Sequence, residues 1–201
     1  GSGKEVVARA LHRQSRRAEE PFVVINCAML APEQLEMELF GTEHGIGPAA
    51  GGTGSRKIGV FEQAHGGTLY LDEVGEMPLE TQSKIVRLLQ EQVFTRTGGT
   101  TRIEVDVRVI ASSSGDLQLE MQAGTIRQDL YYRLSVVPIR IPPLTERRED
   151  IPVIANHFLA RAAEASGTQV RTLGEDAMAA MQAYDWPGNV RQLRNAMEWL
   201  L

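Results

Sequence analysis

Gly1-Ser2-Gly3-Lys4-Glu5-Val6-Val7-Ala8-Arg9-Ala10-Leu11 opens the sequence with two glycines, a lysine and an apolar stripe at helical spacing. Val6, Val7, Ala10 and Leu11 fall on one side of a helix predicted from Glu5 to Ser15, with basic residues on the other. Glycines at such a helix start let backbone N–H groups converge on an anion, and a lysine adds a flexible cation. The stretch therefore reads as the back half of a phosphate-cradling P-loop, with Lys4 on the β and γ phosphates. Gly-Ser-Gly is also a common linker, and the first glycine of the full motif is absent, so the tetrapeptide needs support elsewhere in the chain.

Thr68-Leu69-Tyr70-Leu71-Asp72-Glu73 supplies it. A magnesium ion bridging phosphates needs an oxygen ligand beside them, direct or through water, and a strand ending in an acid provides one. Asp72 is the candidate magnesium partner, and Glu73 is placed to polarise an attacking water as a general base. Adjacent acids after a strand are ordinarily just a solvated strand end. Downstream of a Gly-x-Gly-Lys helix start, they form the second half of a nucleotide site.

Outward from these two stretches the elements alternate. Phe22-Val23-Val24-Ile25 is a short buried strand, Pro32 suits the first turn of a helix carrying Leu35 and Leu39 inward, and Pro78 starts a helix with Ile85, Val86, Leu88 and Leu89 on its apolar face. From Gly41 to Gly59 glycines dominate and large apolar side chains are scarce, which predicts a loop. Phe94 to Val105, split by Gly98-Gly99, reads as a hairpin, Val107 to Ala111 as a strand, and Ser135 to Ile141 as a last strand. Beyond Pro142-Pro143 three helices are expected: Ile151 to Ala165, Leu173 to Tyr184 with Thr172 and Glu175 as a capping box, and Asn189 to Leu201. The expected fold is α/β, a P-loop doubly wound parallel sheet over residues 1–143, followed by a small α-helical lid over residues 144–201. The abrupt start at Gly1 reads as an excised domain, without the strand and first glycine that should precede a P-loop.

Composition narrows the function classes. The net charge of −5 argues against a broadly basic nucleic-acid surface, so any DNA contact is expected from a segment outside this chain. His12, His44, His65 and His157 have neither helical pairing nor a neighbouring ligand cluster, which gives no transition-metal site. No apolar run approaches the roughly 20 residues that span a bilayer. The single Cys27 cannot form an internal disulfide and no leader peptide is recognisable, which suits a reducing cytoplasm.

Five runs carry a family resemblance: Pro21 to Ala28 (PFVVINCA), Glu38 to Gly41 (ELFG), Gly66 to Glu73 (GGTLYLDE), Asp129 to Leu134 (DLYYRL) and Trp186 to Leu193 (WPGNVRQL). Together they resemble the central AAA+ domain of the NtrC-family bacterial activators that work with sigma-54, over essentially the whole chain. Glu5, where most P-loops carry Ser or Thr, is also a habit of that family. The resemblance implies ATP or ADP with magnesium as ligands, with Gly1, Ser2, Gly3, Lys4 and Glu5 at the phosphates. It implies that Asn26 is a switch that holds the catalytic Glu73 until ATP is sensed. It places Arg127 and Arg133 on a neighbouring subunit's γ-phosphate and Arg191 as the lid arginine that senses nucleotide from its own chain. Without the resemblance, Asn26 would be a structural hydrogen-bonder and the arginines ordinary helix-surface charges.

Two departures from the family pattern stand out. The loop that grips the sigma factor should carry Gly-Ala-Phe-Thr-Gly-Ala, and this sequence has Gly45-Ile46-Gly47-Pro48-Ala49-Ala50. The γ-phosphate-sensing Thr-Asn pair is replaced by Ser113 and Ser114. An altered loop in an otherwise intact domain is similar to NtrX-type response regulators. Two functions stay open: a self-assembling ATPase, dimer or hexameric ring, that remodels sigma-54 RNA polymerase, or a regulatory ATP-binding and oligomerisation module that does not contact sigma-54.

Overall fold

The computed structural model describes residues 2–43 and 56–200. They divide into two compact units, one formed by Glu5–Pro138 and the other by Ile139 onward together with the residues up to Lys4.

The first unit is built on a three-stranded parallel sheet in which β4 (Thr68–Asp72) lies between β1 (Phe22–Asn26) and β7 (Arg108–Ala111). The short strands β2 (Gly41–Thr42), β3 (Lys57–Ile58), β5 (Val93–Thr95) and β6 (Arg102–Glu104) lie outside this sheet. Four of the five residues of β4 are buried, as expected of a central strand with both faces covered. Side chains alternate along it. Leu69 and Leu71 join the core with Leu35 and Leu39 of α2 (Pro32–Phe40) and Ile85, Val86 and Leu88 of α4 (Leu79–Glu91). Thr68 and Tyr70 face the other way: His12 of α1 (Lys4–Arg13) hydrogen-bonds Thr68 at 3.0 Å, and Phe22 stacks on Tyr70. Helices thus cover both sheet faces, in agreement with the expected architecture. Gly67 lets the chain enter β4 close beside β1, where a Cβ would come within 2.1 Å of the Pro21 carbonyl oxygen.

The glycine-rich segment after α2 is more ordered at its base than its composition predicts. β2 pairs antiparallel with β3, followed by the single turn of α3 (Val60–Gln63). Phe40, Phe61 and Phe94 meet with ring centroids 5.8 to 6.3 Å apart. Beside them Arg96, 4% exposed, forks between Glu62 (2.6 Å) and Glu43 (2.8 Å), and these carboxylates hold its guanidinium charged against the cost of burial. Arg96 follows β5, which pairs with β6 around Gly98-Gly99 as the expected hairpin. The loop tip, residues 45–50, lies outside the described residues.

The short helix α5 (Leu117–Gln122) went unread in the sequence, and α6 (Gln128–Leu134) was given no bounds there beyond the helix-surface reading of Arg127 and Arg133. The predicted strand from Ser135 to Ile141 is not formed. Ser135 donates its N–H to Tyr131 and closes α6, Pro138 lacks a donor, and no described strand pairs with the run. Val136, Val137 and Ile139 are exposed.

The second unit is helical. In α7 (Ile151–Ser166), Ile151, Ala155, Leu159 and Ala163 repeat every fourth residue as one buried stripe. Ile151, Ala155 and Leu159 pack in a core with Trp186, Leu193 and Met197, the last two from α9 (Asn189–Trp199). The turn into α9 is held by Asn189, whose side-chain oxygen accepts the Leu144 N–H at 2.8 Å, and by the Trp186 indole donating to the Met181 carbonyl at 2.7 Å. The predicted capping box fails: α8 (Glu175–Ala183) starts after Gly174, without a side-chain cap, and Thr172 lies two residues short of that position. Among the described residues no helix is long and apolar enough to cross a membrane.

Replacing Arg96 with Ala strands two partly buried carboxylates and is expected to destabilise the protein by about 3 kcal/mol, the scale of a broken buried ion pair. Urea unfolding measures this, and a midpoint equal to the parent's would show that the fork adds nothing.

Candidate functional site

Parallel register brings the candidate acids together. Asn26 pairs with Asp72 across β1 and β4, and Leu71 pairs with Ala111 across β4 and β7, so Asn26, Asp72 and Ser112 line up at the carboxyl ends of neighbouring strands. Ligands of open α/β sheets bind outside such strand ends.

Asp72 is held from three directions. The Asn26 amide donates to its Oδ2 at 2.9 Å, the Ser112 hydroxyl donates to Oδ1 at 2.6 Å, and the Tyr70 hydroxyl lies 3.0 Å from Oδ1 and 2.9 Å from the Ser112 oxygen. Burial, with Asp72 beside it, pushes the Tyr70 phenol far above its ordinary value, so Tyr70 is a donor throughout the physiological range. The resemblance assigned Asn26 to Glu73, yet the observed acceptor of its amide is Asp72. The register explains this: residue 26 stands opposite residue 72, and the side-chain oxygen of Asn26 is used locally to accept the Ala28 N–H at 2.9 Å.

Glu73 turns out of the strand with φ 56° and ψ 53°, a left-handed conformation uncommon for a residue with a Cβ. The following Val74 N–H anchors the turn by donating to the Ser112 carbonyl at 2.8 Å. Both carboxylate oxygens of Glu73 are met by Ser114, Oε2 by its backbone N–H at 2.8 Å and Oε1 by its hydroxyl at 2.6 Å. Ser113 turns back on the chain, accepting the Gly115 N–H at 3.1 Å. Tyr70 and Ser112 were missed in the sequence. The signal was strand alternation, which puts Tyr70 on the face of Asp72, combined with a parallel pairing of β4 and β7.

The other candidates are placed as follows. Gly1 lies outside the described residues. Gly3 has φ 98° and Lys4 is the first residue of α1, so the turn at the helix start has the backbone form that glycine favours. The Ser2 carbonyl accepts a hydrogen bond from Arg147 at 2.8 Å, and Glu5 pairs with Arg9 one helical turn on. Arg127 sits at the amino end of α6, its guanidinium gripping Asp129 at 2.8 and 3.0 Å, and this ion pair holds the Asp129 carboxyl below its usual range. Arg133 is exposed in the last turn of α6, and Arg191 is exposed in the first turn of α9.

The donor set suits a hard cation. Asp72 is a carboxylate at a strand end, and its Oδ2 accepts one hydrogen bond. Among the described residues no group of three or more His, Cys, Asp or Glu could hold a metal unaided. A strand-end carboxylate such as Asp72 fits magnesium, which takes one or two carboxylates and completes its shell with phosphates and water.

Residues 1–140 match the family model described as the Sigma-54 interaction domain, and residues 145–201 match that of the AAA+ ATPase lid domain. The chain is 55% identical over its whole length to the nitrogen assimilation regulatory protein NtrX of Azorhizobium caulinodans, covering 43% of that protein. It is 50% identical over 200 residues to the DNA-binding transcriptional regulator NtrC of Azospirillum brasilense, covering 41% of it. The crystal structure of NtrX from Brucella abortus in complex with ATP superposes with a TM-score of 0.90 at 52% identity, over 98% of this chain and 42% of that one. The same protein with ADP gives 0.89 at 53% identity, over 98% and 43%. The chain thus spans less than half the length of these relatives.

Cys27 sits behind this site, 2% exposed, and burial together with Asp72 and Glu73 pushes its thiol up to about 12. At pH 8 it should carry roughly a thousandfold less thiolate than an exposed cysteine, so alkylation should wait for unfolding. Its folded-state value is raised, so its contribution to stability is complete below pH 9 and fades as pH rises towards 12. Mass-spectrometric labelling in native buffer and in urea reads this, and rapid labelling of the native protein would contradict it.

Proposed function

The chain belongs to the sigma-54 interaction domain family, with an AAA+ lid, and we propose that it binds ATP with magnesium and hydrolyses it between subunits within an NtrX-type transcriptional regulator. The observation that carries the proposal is the paired acids Asp72 and Glu73, each fixed by a serine at the end of the neighbouring strand. The ATP and ADP complexes of the Brucella abortus protein support the choice of ligand.

Each residue then has a task. Gly1, Ser2, Gly3 and Glu5 shape the phosphate cradle, and Lys4 supplies its cation. Magnesium, held by Asp72, would neutralise charge on the phosphates. Glu73 accepts a proton from the attacking water while Ser114 holds its carboxylate in place. Asn26 couples the site to β1, and Ser113 and Arg191 respond to the nucleotide. Arg127 and Arg133 serve a neighbouring subunit of a dimer or hexameric ring, where a guanidinium stabilises charge that develops in the transition state. For Arg127 this requires release from Asp129.

Output is proposed to run through DNA-binding and receiver segments outside this chain, in the cytoplasm. A second reading, a regulatory module that does not grip sigma-54, is favoured by residues 45–50, where Ile46 is the one large apolar side chain and the aromatic anchor is lacking.

In the full-length protein Lys4→Ala should abolish ATP binding measured by calorimetry, whereas Glu73→Gln should keep the affinity and lower turnover by about 100-fold or more. Undiminished affinity in the first variant would refute the P-loop assignment, and undiminished turnover in the second the base. Mixing Arg133→Ala with Lys4→Ala subunits should create composite sites with both groups intact and recover part of the lost ATPase activity. Absence of recovery in normally assembled mixtures would confine Arg133 to its own chain.

A further inference from the structure

Tyr70 and Ser112 lie outside the acid pair, and neither is needed to explain nucleotide binding as such. Both converge on one oxygen. Ser112 donates to Asp72 Oδ1 at 2.6 Å, and Tyr70 lies 3.0 Å from Oδ1 and 2.9 Å from the Ser112 oxygen. Two hydroxyl protons serve these three contacts. The short one identifies Ser112 as the donor to the carboxylate, and the Tyr70 proton is shared between Oδ1 and the serine oxygen. Oδ2 accepts a single bond, from Asn26 at 2.9 Å.

Both hydroxyls are rigidly mounted. Tyr70 is 1% exposed in the middle of β4 and stacks against Phe22. Ser112 is fixed by its own backbone, whose N–H donates to Leu71 at 2.9 Å and whose carbonyl accepts from Val74 at 2.8 Å. A carboxylate on a single-bonded stem can present either oxygen, and each orientation would offer an incoming cation a different distance and angle. Filling Oδ1 from two fixed donors removes that freedom, as partners behind a metal ligand do elsewhere.

We propose that Tyr70 and Ser112 are positioning residues that lock the Asp72 carboxylate so that Oδ2 is the oxygen presented to the nucleotide's divalent cation. This rests on the ATP and magnesium assignment above. The magnesium-dependent part of nucleotide affinity should therefore depend on both hydroxyls, and affinity without the metal should not.

The test is calorimetric ATP titration of the full-length protein, with magnesium and with EDTA, for the parent, Ser112→Ala, Tyr70→Phe and Ser112→Thr. In the first two variants the gain in affinity given by magnesium should fall by up to about tenfold while binding in EDTA is unchanged, and Ser112→Thr should restore it. Equal losses in both buffers, no loss in either, or a threonine as poor as alanine would overturn the proposal. A nucleotide-free double-mutant cycle of Ser112→Ala with Asp72→Ala, read on urea unfolding, should be non-additive. Additivity would mean that Ser112 does not hold Asp72. A parent that binds no ATP sinks the functional assignment and the cation role together, whereas a parent that binds magnesium-ATP beside variants of unchanged metal dependence sinks this proposal alone.

Discussion

The parallel register of β4 between β1 and β7 is the constraint on which the remaining structure depends. It aligns Asn26, Asp72 and Ser112 at one edge of the sheet, and it requires both faces of β4 to be covered. Alternation then divides the strand's duties: Leu69 and Leu71 hold the core, while Thr68, Tyr70 and Asp72 share the face that α1 covers. The helix that starts at Lys4 is thereby attached to the strand that ends in the acids. A one-residue slip of β4 would put Leu71 where Asp72 stands and lose the site together with the core.

The acids are held rather than merely exposed. Asp72 receives an amide and two hydroxyls, and Glu73 receives both donors of Ser114, so each carboxylate has a defined direction before any ligand arrives. Preorganisation of this kind is how a site avoids reorienting its groups during reaction. The left-handed backbone at Glu73 belongs to the same arrangement, because it turns the chain out of the strand directly after Asp72. Of the two serines that stand where the family resemblance implies a Thr-Asn pair, Ser114 thus has a task of its own, meeting Glu73 with both its hydroxyl and its backbone N–H.

At the base of the glycine-rich loop a different solution operates. Arg96 is almost fully buried, and its two carboxylate partners come from the segment after β2 and from α3. An unpaired arginine there would be prohibitive, so the ion pairs fix how the hairpin of β5 and β6 meets the two ends of the loop.

The sequence by itself determined the parts that are contiguous. The glycine-lysine helix start, the apolar strand ending in Asp72-Glu73, the Gly98-Gly99 hairpin and the three carboxyl-terminal helices are written in short-range spacing, because helix and strand periods repeat within a few residues. Tertiary structure decided what depends on partners distant in sequence. Asn26 and Asp72 are 46 residues apart and Tyr70 and Ser112 are 42 apart, and only strand pairing sets which side chain faces which. The same reason explains the errors. Residues 135–141 have strand-like composition but no described strand to complete their ladder, and Thr172 has a capping sequence while the helix begins after Gly174. A strand or a cap is a relation between groups, and composition names only one side of it.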